Sequence, residues 1–195
     1  MTVRLTLVCA AASAQRDVRF GVDEPLDERA LRQAKAVAGT LPTAATLYAA
    51  PSQRCGQTAS ALGRDAVVAA AELRDLDMGS WRGRTLAEVA ADDEAGLGAW
   101  MAEPGAAPHG GESVAQLCRR VDAWLGALPA DAGRVLAVVE QAVARAAVVR
   151  ALNAPLSSFW RVDVPPLSSI QLTGRGGRWN LRMGVAAAVE AGEDD

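Results

Sequence analysis

The chain has 195 residues, half of them hydrophobic, with 20 Lys and Arg against 23 Asp and Glu for a formal charge of −3. This supports a buried core, argues against a disordered chain, and leaves no global electrostatic footprint for nucleic acid or anionic lipid. Three widely spaced cysteines (Cys9, Cys55, Cys118) lack a CxxC pair, so no disulfide framework, metal or cofactor is expected; a single histidine, His109, excludes any mechanism that needs two.

Residues Val3–Cys9 (VRLTLVC) are apolar and β-branched nearly throughout, the pattern of a central strand covered on both faces. The stretch 1–14 superficially resembles a signal peptide, but its apolar run follows a single Arg4 and reads better as that strand. No run of 18 apolar residues is present, so no membrane span is expected, and a cytoplasmic location fits. Helical spacing over 28–39 ends at Gly39; a short strand at Thr46–Ala49 precedes a helix over 53–63, and 66–70 forms another short strand. Residues 73–84 are irregular, and Thr85 with Glu88 has capping-box spacing.

The stretch 103–111 (EPGAAPHGG) is loop by composition. A helix over 113–128 carries Val114, Leu117, Val121, Trp124, Leu125 and Leu128 on one face. A strand at Arg134–Val139 leads directly into a helix over 141–152, and hairpin strands at 169–172 and 179–183 flank a turn at 174–177. This alternation predicts a three-layer α/β/α sandwich with a largely parallel sheet over 1–184, and a short acidic tail over 185–195. In such sheets the site lies beyond the carboxyl ends of the strands, which brings Cys9, the 50–54 segment and Glu140 to one pocket.

At these strand ends the sequence resembles the histidine phosphatase superfamily, in its phosphoglycerate mutase-like branch that includes small bacterial phosphatases of the cobalamin type. The likeness covers residues 3 to 183 and rests on ordered motifs: the first strand, RFGVDEPLDERALRQA, APSQRCGQTA, LRDLDMGSWRG, PHGGES, and VLAVVEQAVARA followed by ALNAP. The resemblance implies a phosphoglycerate mutase-like fold. In the family, a histidine in an Arg-His-Gly loop after the first strand takes up a phosphoryl group. Two arginines and a second histidine bind the phosphate, and an acid protonates the leaving group.

Here that pattern breaks at its centre. The Arg-His-Gly positions fall on Cys9, Ala10 and Ala11, and the second histidine falls on Glu140. Arg54 keeps a phosphate-binding identity, and Asp75 holds the acid position, one methylene shorter than the usual glutamate. A carboxylate in place of a phosphate-contacting imidazole turns attraction into repulsion, about 4 kcal/mol for unit charges about 4 Å apart at an effective dielectric of about 20.

Each candidate has two readings. Arg54 either binds an anionic group or pairs with Glu140 or Asp75; Glu140 is either a general base or an N-cap carboxylate. Asp75 is either a retained proton donor or an ordinary loop aspartate. Cys9 is either a nucleophile activated by Arg54 or, as is commoner, a small apolar residue. Ser13 stands where the family commonly has threonine, and His109 lies in a loop that borders the family's pocket; Trp81, Trp100, Trp124, Trp160 and Trp179 read mostly as core or pocket wall, with Trp81 expected nearest a ligand. Glu140 and Asp75 are thus the candidate catalytic pair, and Arg54, Cys9, Ser13, Trp81 and His109 the candidate ligand contacts.

The expected function is a protein of this fold without phosphohistidine chemistry, its pocket repurposed for acid–base chemistry on a small non-phosphorylated metabolite. The alternatives are a non-catalytic pseudophosphatase that acts by binding, and a phosphatase using a different nucleophile. The expected partners are a small molecule and a second copy of the chain, with no nucleic acid and no membrane.

Overall fold

The computed structural model describes residues 2–13, 18–63 and 66–183; the acidic tail expected over 185–195 lies outside the described residues. Six strands form one sheet: β1 (Val3–Cys9), β2 (Thr46–Ala49), β3 (Val67–Ala69), β4 (Arg134–Val139), β5 (Ser169–Arg175) and β6 (Arg178–Arg182). Their order is β3-β2-β4-β1-β5-β6. The first four run parallel, whereas β5 is antiparallel to both β1 and β6. Cys9 is level with Val139, so β1 and β4 end side by side.

Six α-helices complete the layers: α1 (Glu28–Val37), α2 (Gln53–Ala61), α3 (Leu86–Asp92), α4 (Glu94–Ala102), α5 (Val114–Ala127) and α6 (Gln141–Ala151). α1 packs on α2 and α5 on α6, giving the expected α/β/α arrangement around a core that includes Leu5, Leu7, Leu117, Leu136 and Phe159. Local chemistry fixes the helix starts: Asp27 caps α1, Ser52 caps α2, and Thr85 with Glu88 and Ser113 with Gln116 form reciprocal capping boxes. Among the described residues no helix is long and apolar enough to cross a membrane.

Two elements were not legible. α4 (EAGLGAWMA) buries Leu97 and Trp100 but has no periodic apolar face, so its sequence carries no helical stripe. Residues Leu156–Arg161 form a short 3-10 helix carrying Phe159 and Trp160. The hairpin turn is tighter than predicted: Gly174 and Arg175 belong to β5, leaving Gly176 and Gly177, both at positive φ (58° and 75°), as a two-residue turn of the kind glycine favours.

Candidate functional site

A cavity of about 470 Å³ opens beyond the carboxyl ends of β1 and β4. Cys9, Ala10 and Ala11 line it at the end of β1, where Ala10 N–H donates to Val139 O at 2.9 Å and Ala11 N–H to Thr58 Oγ1 at 3.1 Å. Arg54 enters from the first turn of α2, Glu140 from the end of β4, and Arg145 from α6. A second cavity of about 240 Å³, bordered by Arg4, Arg134 and Arg182, lies at the starts of β1 and β4 and is lined by no described carboxyl, imidazole or thiol.

Glu140 occupies the N-cap position of α6 but makes no capping bond, contrary to one of its two expected roles. Its side chain, 5% exposed, instead forms an ion pair with Arg54, Nη2 donating to Oε2 and Nε to Oε1 at 3.4 Å. Ser52 Oγ donates to Oε1 at 2.8 Å, and Cys55 Sγ lies 3.5 Å from the same oxygen. Glu140 thus holds the Arg54 guanidinium from inside the cavity. Burial works against the Arg54 charge, but Glu140 outweighs it and holds the group above its ordinary range. The amino end of α2 is also satisfied, since Asp23 accepts from Gln53 N–H at 2.7 Å and Arg54 N–H at 3.1 Å.

The same geometry silences the thiols. Burial first, and then the Glu140 charge, push Cys9 up to about 12 against the pull of Arg54. Cys55 is driven higher still by burial and Glu140. Both effects favour the protonated thiol, which weighs against Cys9, the one thiol of the described lining, as a nucleophile.

Asp75 differs, because it lines the cavity and forms no ion pair with a described residue. Burial first, then Glu140, push its carboxyl up to about 6 against the pull of Leu76 N–H, Arg54 and Arg120. A carboxyl near 6 can hold or release a proton at neutral pH. Its backbone is fixed from below. Arg120, paired with Glu112, donates to Glu72 O at 2.6 Å, Arg74 O at 2.9 Å and Asp75 O at 3.4 Å. The following loop interlocks with 109–112 through Ser80 N–H to His109 O and Glu112 N–H to Asp77 O, both 2.8 Å. Glycine is needed on both sides of that joint: a Cβ on Gly79 would stand 2.1 Å from His109 O, and one on Gly111 2.2 Å from Asp77 O.

Of the residues singled out from sequence, Cys9, Ser13, Arg54, Asp75 and Glu140 line this cavity, whereas Trp81 and His109 do not. Trp81 is buried, packed on Phe20 at 5.8 Å and Trp100 at 5.7 Å. His109 is 2% exposed, its ring 5.1 Å from that of Trp81, and its Nδ1 accepts from Gly111 N–H at 3.0 Å. That bond assigns the remaining proton to Nε2, which has no partner among the described residues, and burial holds the imidazole below its ordinary range. The histidine is therefore a neutral wedge behind the wall.

The wall itself is Phe20, Trp100, Phe159 and Trp160, none of which the sequence had singled out as a ligand contact. Arg145 was missed as well. It lies one helical turn after Gln141, which also lines the cavity, so an i, i+4 count from the strand end would have found it. No group of three or more described His, Cys, Asp or Glu side chains is placed to hold a metal ion.

A mixed six-stranded sheet between helix layers, with its cavity at the ends of β1 and β4, defines a phosphoglycerate mutase-like protein. The chain belongs to the histidine phosphatase superfamily, branch 1, whose model matches residues 7–185. A mycobacterial glucosyl-3-phosphoglycerate phosphatase is similar with a TM-score of 0.79 at 24% identity, covering 93% of this chain and 97% of that one. A putative α-ribazole-5′-P phosphatase from Escherichia coli K-12 gives 0.81 at 20% identity, over 92% and 94% of the two chains. A variant phosphoserine phosphatase from Entamoeba histolytica, in complex with phosphoserine, gives 0.82 at 17% identity, over 93% and 95%. No curated protein sequence matches the chain.

Proposed function

We propose that this member of the superfamily has lost phosphohistidine chemistry and uses the cavity for a small ligand without a phosphate group, with Asp75 as its general acid or base. The observation that carries the reading is the Arg54–Glu140 pair inside a cavity whose described lining has no histidine. A phosphate dianion about 4 Å from both groups would be attracted and repelled by about 8 kcal/mol each at an effective dielectric of about 20, so the pair gives it no net gain. The inert thiols and the buried His109 supply no alternative nucleophile, which also weighs against a phosphatase with exchanged chemistry.

Glu140, tied to three partners, serves as a neutralising and positioning group, and the proton-moving role falls to Asp75 alone. A cavity that stays open favours use over decay and supports a bound small molecule. The test is hydrolysis of a generic aryl phosphate by the native chain. Release at the uncatalysed rate is expected; turnover that disappears in Arg54→Ala would overturn the reading.

A further inference from the structure

Arg145 stands out within the cavity. Its Nε donates to Val162 O at 2.8 Å, which fixes the plane of the guanidinium, while its Nη1 and Nη2 bond to no described residue. No described carboxylate lies within ion-pair distance, and Asp163 acts on it only through its field. The guanidinium carbon sits 5.9 Å from the ring centres of both Phe159 and Trp160. Trp160 packs at 4.4 Å against Trp100, which meets Phe20 at 5.7 Å, so the aromatic wall runs on from the cation. A half-buried, oriented guanidinium whose two NH2 groups have no partner among the described residues is a receptor for a planar two-oxygen anion, and the rings beside it suit a flat apolar body.

Resting on the reading that phosphate is not the ligand, we propose that the cavity takes a small aromatic or heteroaromatic monocarboxylate, its carboxylate forked onto Arg145 and its ring against Trp160, Trp100 and Phe20. A single charge is specified because Arg145 is the one cation of the described lining that is neither paired with a carboxylate, as Arg54 and Arg19 are, nor opposed by Glu140 at contact distance. The ring would lie in the cavity that Asp75 also lines, which places the acid–base group beside the ligand's body.

The test is a tryptophan-fluorescence titration of the full chain with benzoate, indole-3-carboxylate, benzamide, phenyl phosphate and inorganic phosphate, backed by calorimetry. Saturable quenching by the two carboxylates is expected, with benzamide at least tenfold weaker. Arg145→Gln should weaken both carboxylates at least tenfold, and Arg145→Lys, which keeps the charge but not the fork, should fall between. Unchanged thermal melting of both variants controls for folding. Equal affinity for benzoate and benzamide, an unaffected Arg145→Gln, or no saturation by either carboxylate at millimolar concentration overturns the carboxylate assignment and leaves the loss of phosphate chemistry standing. Tighter binding of phenyl phosphate or phosphate that depends on Arg54 overturns both.

Discussion

Substituting Glu140→Gln removes the charge facing Arg54 while keeping the side chain's shape and an oxygen able to accept from Ser52. Glu140 is 5% exposed and Arg54 24%, so the pair is largely out of water. Breaking one side of a buried pair costs about 3–5 kcal/mol, because the other charge is left buried without compensation. The amide oxygen still accepts hydrogen bonds, and the exposed quarter of Arg54 is screened by solvent, so a loss of about 2 kcal/mol is the expected outcome. In a chain of this size that corresponds to a drop of roughly 4–8 °C in the melting midpoint. The same change leaves Arg54, like Arg145, without a paired carboxylate in the cavity, so the variant should gain affinity for phosphate, and a ligand that binds only the folded state raises the midpoint. The assay is thermal and urea unfolding followed by tryptophan fluorescence, with phosphate against chloride at matched ionic strength. Phosphate should stabilise Glu140→Gln clearly more than wild type, in which Arg145 is the one cation of the described lining without a carboxylate partner. A variant as stable as wild type, or a wild type stabilised by phosphate as strongly as the variant, would refute the reasoning.

Asp75→Asn should do the reverse. Its folded carboxyl sits near 6 against an ordinary 3.8, so the folded state binds the extra proton between those values. Asp75 therefore favours the fold fully below about pH 4, and that advantage is lost as the pH rises through about 6. The full shift corresponds to about 3 kcal/mol and partial exposure reduces it, so Asp75→Asn should be more stable than wild type by about 1–3 kcal/mol at pH 8 and no more stable at pH 4, as urea unfolding would measure. For His109 the sign is opposite: its folded state is held below 6.5, so stability is complete above that value and falls as acid protonates it, and an NMR titration of the imidazole should give a midpoint below 6.5. Cys9 should resist iodoacetamide at pH 8 in the native protein and react only in denaturant; rapid native labelling would contradict the raised thiol. Arg120→Ala should destabilise by about 2 kcal/mol by leaving Glu112 with only its longer contact to Arg74, at 3.7 Å, and releasing the carbonyls beside Asp75, again by urea unfolding.

Much of the architecture was legible because strand periodicity and cap chemistry are local. β1 and β4 announce themselves as continuous apolar runs, and the Thr85 and Ser113 caps by spacing alone. The convergence of Cys9, Arg54 and Glu140 followed from strand-end logic, whereas Asp75 was singled out only through the family resemblance. Which of two partners Arg54 would choose did not, because that depends on how Ser52 and Cys55 bring the Glu140 carboxylate inward in preference to the amides of α6. His109 read as a pocket-border residue because loop composition says nothing of burial, and the interlock of Gly79 with His109 O and of Gly111 with Asp77 O decides that only in three dimensions. The aromatic wall was legible only in part, Trp100 and Trp160 reading as core or pocket wall: Trp100 sits on a helix without a stripe, Trp160 on a short 3-10 turn, and Phe20 on a segment pinned by Arg84 and Gly83, so nothing local marked them as facing a ligand.

The central claim is that no group in this cavity takes up a phosphoryl group. Intact-mass spectrometry of the native chain after incubation with a generic aryl phosphate, quenched in alkali to preserve phosphohistidine and repeated in acid for other linkages, addresses it most directly. The account predicts the unmodified mass under both quenches. A phosphoryl adduct mapped to Cys9, Asp75 or Ser13 would contradict it.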